Sequence, residues 1–147
     1  MYFPSKKDIG LGGIYWLVIF LFTLPPVVFS DFGVFMLPSF FDTYPVRLTF
    51  FYTIAGLLLW IWFRTGYTVT EDWLVIEYGP IQKKVEIETI ESIRETKNPF
   101  IDPALSINKL QLYYGNGRHI AISPKEKEHF KKQLVKRNPK IKIINQR

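Results

Sequence analysis

The chain has 147 residues, 48% of them apolar and 17% aromatic, with a formal net charge of +6 and no cysteine. Those averages conceal a division near Phe63: 40 of the first 63 residues are apolar against 30 of the remaining 84, and the whole of the +6 falls on the second part, as 16 bases against 10 acids. A secreted soluble protein, a disordered chain and a disulfide scaffold are excluded; the composition describes an apolar membrane-type segment followed by a soluble domain.

The 22 residues between Asp8 and Asp31 carry no charge. As a helix they extend about 33 Å, enough for a hydrocarbon core of about 30 Å. Eleven Ile, Leu, Val and Phe residues from Ile14 to Phe29 supply roughly 5 kcal/mol towards insertion before polar and proline terms. A first spanning helix is therefore expected over about 9–29, with Pro25 and Pro26 kinking or ending it. A signal peptide cut after Ser30 is the competing reading, since Val28 and Ser30 occupy small-residue positions, but the apolar stretch exceeds the 7 to 15 residues of such a core. Gly10, Gly12 and Gly13 have neither the spacing of a helix-dimer motif nor the context of a dinucleotide fingerprint.

The connection from Phe32 to Phe41 is itself apolar, as suits a segment at the outer interface, and reads as a buried loop, with an exposed ligand site as the alternative. A second spanning helix is expected over 47–63, where nine strongly apolar residues lie between Arg47 and Arg64, both able to snorkel. Lys6 and Lys7 precede the first helix, Arg64, Lys83 and Lys84 follow the second, and the connection holds Asp31, Asp42 and one base. By the positive-inside rule this is a multi-pass protein of the cell membrane with both termini cytoplasmic. Residues 1–64 thus form a transmembrane hairpin.

From Tyr67 the apolar period becomes two, and six strands are expected: 67–70, 73–78, 82–87, 90–96, 109–114 and 118–123. Glu71-Asp72, Gly79-Pro80 and Gly115-Asn116-Gly117 are the turn signals between them. Alternation assigns Leu74, Ile76, Val85, Ile87, Leu110, Leu112, Ile120 and Ile122 to the core face. Ser123 as N-cap, Pro124 at the first helical position and Glu126 at the third predict a helix from there to about Arg137, its stripe of Phe130 and Leu134 closing one end of the sheet. This soluble domain spans 66–139, and 140–147 reads as a basic tail. Strands followed by one amphipathic helix outline a pleckstrin-homology-like (PH-like) partly open barrel of α+β or mainly β class, although a small α+β sheet gives the same string.

Asn98-Pro99, Pro103-Ala104-Leu105-Ser106, the strand Lys109 to Tyr114, and Ile122-Ser123-Pro124-Lys125 with Phe130, Leu134 and Asn138-Pro139 resemble the small bacterial PH-domain family of Gram-positive membrane proteins. The opening Met1-Tyr2-Phe3 with Ser5-Lys6-Lys7-Asp8, ahead of two spanning helices, is similar to the full-length arrangement in that family. The resemblance implies a membrane-anchored, non-enzymatic PH-like domain on the cytoplasmic side. The same domain type occurs in the sublancin immunity protein, which resembles this chain in the cytoplasmic domain and differs in its anchor; self-protection against a membrane-active bacteriocin is thus an alternative by fold-level analogy.

Chemical constellations are sparse. There is no cysteine nucleophile and no hydrolase, zincin or phosphate-loop motif, and His119 and His129 have no ligand spacing around them, so no metal or cofactor is expected. Two surfaces remain as candidate sites. The irregular segment with Pro99, Phe100, Ile101, Leu105 and Ser106 is either a partner loop or a lid tucked over an open end of the barrel. A basic face of Lys83, Lys84, Lys131, Lys132, Lys136 and Arg137 is either an electrostatic dock for an anionic leaflet or a solvated surface. The partner expected is another membrane protein or an anionic lipid; a membrane tether and the lack of an aromatic platform argue against nucleic acid.

Overall fold

The computed structural model describes residues 1–97 and 104–145. Two apolar helices occupy most of the first 63 residues: α1, Ile9–Thr23, runs into a short α2, Pro25–Val28, and α3 covers Tyr44–Phe63. The break at Leu24 falls where Pro25 lacks an N–H donor for the helical ladder. Helix α3 begins three residues before the expected Arg47, because Pro45 sits in its first turn, where a missing donor costs nothing.

The two helices form an antiparallel hairpin with an aromatic seam. Tyr15 stacks on Trp62 at 5.2 Å and donates its hydroxyl to the Leu58 carbonyl at 2.8 Å, while Phe22 meets Phe51 at 5.5 Å. Both spans are long and apolar enough to cross a membrane, yet only 17% and 22% of their most apolar windows are buried. A core helix of a soluble protein hides its apolar stripe; these present theirs outwards.

The connection between the helices differs from expectation in two ways. It is not buried: Phe35, Met36 and Phe40 are 87%, 71% and 77% exposed. Nor does Arg47 snorkel. Its side chain is buried, and its guanidinium donates to the carbonyls of Ser30, Phe41 and Asp42. Irregular backbone leaves carbonyls without partners, and a guanidinium with five donors satisfies several at once, latching the two ends of the connection together.

The remaining chain builds two four-stranded sheets. The first is ordered β1-β2-β3-β4, from Tyr2–Pro4, Thr65–Val69, Trp73–Tyr78 and Ile81–Glu86, and is antiparallel throughout. The second is ordered β7-β6-β5-β8, with β5 at Ile90–Lys97, β6 at Asn108–Tyr114, β7 at Arg118–Ile122 and β8 at Lys142–Ile144; it is mixed, because β8 joins β5 in parallel. One 3-10 turn, Ile87–Thr89, carries the chain from the first sheet to the second. Side chains from both sheets meet in one core that Phe130 and Leu134 of α4, Lys127–Arg137, cover. All eight side chains that alternation placed on the core face are buried. The architecture is the expected PH-like one, two apolar helices and then sheets with a C-terminal helix, and the sheets remain open instead of closing into a barrel.

Strands β1 and β8 fall where a membrane hairpin and a free tail were expected. Strand β8 forms because Asn138, at the C-cap of α4, is buried and donates its amide to the carbonyls of Ile87 at 2.9 Å and Ile90 at 3.2 Å. That anchor delivers the following residues to the free edge of β5. Helix α4 also starts at Lys127, later than Pro124, because Ser123 is engaged elsewhere.

The β3–β4 turn rests on the end of α3. Gly79 has φ of +58°, and a Cβ there would come within 2.6 Å of Ile61 Cγ1 and 3.1 Å of its Cα. Gly79→Ala is therefore expected to cost about 1–2 kcal/mol for the left-handed backbone alone and to loosen the turn from α3. Thermal unfolding and Trp60 and Trp62 fluorescence of the solubilised chain check this; no change in either would show the turn to be free of the helix.

Candidate functional site

The residues before α1 are woven into the two-sheet domain. In β1, Tyr2, Phe3 and Pro4 face Thr68, Tyr67 and Gly66 of β2, and the N-terminal ammonium donates to the Val69 carbonyl at 2.7 Å. A Cβ at Gly66 would fall on the Tyr2 ring, so a larger residue there would have to displace that exposed side chain. Phe3 is 3% exposed and meets Phe130 edge-on at 5.2 Å. The first strand is thus a part of the core.

Beyond β1 the chain is clasped by the two short motifs noted in the sequence. Lys6 N–H donates to the Ser123 carbonyl at 2.6 Å, Lys125 N–H to the Pro4 carbonyl at 3.0 Å and Asp8 N–H to the Leu105 carbonyl at 3.2 Å. The fully buried Ser123 hydroxyl lies 3.1 Å from that of Ser5 and accepts from Leu105 N–H at 3.2 Å, and Ser123 N–H donates to the Tyr67 hydroxyl at 3.0 Å. Ser123 is therefore the hub of a buried polar network and not the N-cap of α4. One carboxylate oxygen of Asp8 accepts from the Ser106 hydroxyl and from Ile107 N–H, both at 2.8 Å. Burial opposes the charge on Asp8, but these two donors with Lys6 and Lys127 outweigh it and hold the carboxyl below its usual range. Burial pushes the Tyr67 phenol up.

Both helices consequently enter one corner of the domain: Asp8 is followed at once by α1, and α3 ends one residue before β2. At that corner lies a cleft of about 510 Å³. Its charged lining is Lys6, Lys7 and Lys125, with Tyr2 and Phe63 as aromatic walls. The hydroxyls of Ser5 and Thr65 also line it, and they are engaged, by Ser123 and by the Ile61 carbonyl. The Lys7 ammonium sits 5.0 Å from the Trp62 ring and 5.4 Å from that of Phe63.

The earlier candidate residues are distributed differently. Pro99, Phe100 and Ile101 lie outside the described residues. Leu105 and Ser106 are buried under the N-terminal segment, so their contacts are within the chain. On the basic face, Lys131 does not face water: it is 4% exposed, with Glu95 at 2.8 Å and Glu128 at 2.6 Å. The Lys131 hydrogen bond holds Glu95 below the usual carboxylate range. Arg137 is turned back onto Gln133 and lies 3.7 Å from Glu71. Lys83, Lys84, Lys132 and Lys136 are exposed. Lys6 and Lys7, which the structure gathers at the corner with Lys125, precede it by 118 positions or more, and no local pattern marks the three as a set.

The model of the bacterial PH domain matches residues 65–138, from the first residue of β2 to the Asn138 cap of α4. This chain belongs to the bacterial PH domain family. Its β1 and β8 both lie outside the matched segment, so this member of the family completes its two sheets with strands from the flanks. The uncharacterized protein YyaB of Bacillus subtilis (strain 168) is 29% identical over 94 residues, which is 62% of this chain and 64% of that protein, so the chain spans just under two thirds of that relative's length. No solved structure matches the chain.

Proposed function

We propose that the protein is a membrane-anchored, non-enzymatic PH-like interaction module held against the cytoplasmic face of the cell membrane, with both ends of the chain on that side. The observation that carries this reading is the clasp of residues 1–8, which ties the start of α1 to the same domain that follows α3 without a linker. A hairpin of two outward-facing apolar helices joined in this way presses one corner of the domain to the bilayer surface. Lys6, Lys7 and Arg64 flank the helices at the domain end, whereas Asp31 and Asp42 lie at the far end, which supports the cytoplasmic orientation. PH-like domains work as binding modules, and a domain so fixed suits a partner that is itself in or on the membrane.

The chain lacks cysteine, so single labels are clean. Ser39→Cys is expected to react with an impermeant thiol reagent in intact cells, and Lys132→Cys only after permeabilisation; reaction of Lys132→Cys in intact cells would overturn the orientation. Pull-down in mild detergent, comparing the full chain with one lacking residues 66–147, then tests the module. A membrane protein retained at fixed stoichiometry and lost with the deletion supports it. Its absence, together with a changed inhibitory concentration for a membrane-active peptide, would favour self-protection instead.

A further inference from the structure

We propose that the corner cleft between the N-terminal segment and the end of α3 binds the phosphate of an anionic phospholipid headgroup, with the acyl chains leaving along Phe63 towards the bilayer. The proposal rests on α1 and α3 crossing the membrane. Three lysines line the cleft and no acidic residue does. Lys6 shares part of its charge with Asp8 at 3.9 Å. Among the described residues, no carboxylate lies within ion-pair distance of Lys7 or Lys125. Since the Ser5 and Thr65 hydroxyls are already engaged, a ligand meets point charges and not a directional donor set, which favours a phosphate over a neutral polar group.

Position decides between a lipid and a soluble anion. The cleft opens where both apolar helices meet the domain, which in a bilayer is the headgroup level, and Trp62 and Phe63 hold Lys7 at that height. Phe63 is 65% exposed and Tyr2 55% exposed, an apolar rim that water covers poorly and acyl chains cover well. Its volume, about 510 Å³, is that of a pocket able to enclose a headgroup with its first methylenes. Basic pockets at the cytoplasmic ends of spanning helices are suited to anionic lipid headgroups. The basic face of α4 is a weaker dock, because Lys131 and Arg137 are committed to Glu95, Glu128 and Gln133.

The test is native mass spectrometry of the full chain in mild detergent with equal amounts of phosphatidylglycerol and phosphatidylcholine. Phosphatidylglycerol is expected to be retained in at least about tenfold preference. Lys6→Gln with Lys7→Gln and Lys125→Gln should weaken it about 100-fold, at about 1 kcal/mol for each base near an anionic surface. Lys7→Gln with Lys125→Gln alone keeps the Lys6 pair with Asp8 and should lose at least about tenfold at an unchanged melting temperature. Lys84→Gln with Lys132→Gln and Lys136→Gln, an equal change of charge elsewhere, should leave the preference intact. An equal loss in that control, no preference in the wild type, or inorganic phosphate binding as tightly as the lipid would each overturn the proposal. Carbonate extraction separates the underlying reading: release of the chain from membranes would refute the spanning helices, whereas retention without lipid preference would refute the cleft alone.

Discussion

Phe3→Ala is expected to destabilise the two-sheet domain by about 3–5 kcal/mol, the cost of removing a fully packed aromatic ring. In a domain of this size that lowers the thermal midpoint by more than about 12 °C. The side chain lies outside the segment that matches the family, 62 residues ahead of Thr65, yet it is 3% exposed in the core, edge-on to Phe130. Tyr2, its neighbour on the same strand, is 55% exposed, and Tyr2→Ala should cost about 1 kcal/mol or less. Circular dichroism and limited proteolysis of the solubilised chain read the difference. Equal small losses for the two variants would place β1 outside the folded unit.

The second large effect is expected at Asp8. Asp8→Ala removes the acceptor of two charge-assisted hydrogen bonds and leaves the buried Ser106 hydroxyl without it, a loss of about 3 kcal/mol after allowance for partial exposure. Asp8→Asn keeps the shape and loses the charge, so it should fall between Asp8→Ala and wild type. The linkage has a definite sign. The carboxyl titrates lower in the folded chain than its ordinary value of 3.8, so its contribution is fully present above that value and lost as pH falls through the lowered one. Melting curves of wild type and Asp8→Asn between pH 7 and about pH 3 should therefore converge at the acid end. A gap independent of pH would show that the carboxylate charge is not what holds the clasp. Because Asp8 leads directly into α1, its loss should also speed proteolysis at residues 1–8 and uncouple that helix from the domain.

Much of this was legible locally. The switch from an apolar run to period-two alternation marks the boundary between hairpin and domain, and the same alternation identifies Leu74, Ile76, Leu110, Leu112 and their companions as core, because facing in or out on a strand is set by a residue's immediate neighbours. The turns at Gly79 and at Gly115, Asn116 and Gly117 follow from residues that tolerate positive φ, and all four adopt it. The Ala-Leu-Ser and Ile-Ser-Pro motifs were visible as a resemblance, but their task was not. Leu105 read as an exposed partner contact or a lid, and the structure buries it beneath Lys6 to Asp8, a pairing across about a hundred residues.

What the sequence by itself determined is what short-range chemistry determines: two helices long and apolar enough for a membrane, the strand faces, most turns and the amphipathic helix. What only the tertiary structure decided is everything whose free energy resides in a distant partner. A three-residue strand such as Tyr2–Pro4 has no local signal and exists because β2 offers it an edge and Phe130 a packing surface. Lys131 reads as solvent-facing from its own helix and is buried because Glu95, 36 residues away, neutralises it. Lys6, Lys7 and Lys125 become one charged cleft only when backbone hydrogen bonds between Pro4, Lys6, Ser123 and Lys125 lay the first and last parts of the domain side by side, since a charge cluster is a property of distances in space that spacing along the chain does not carry.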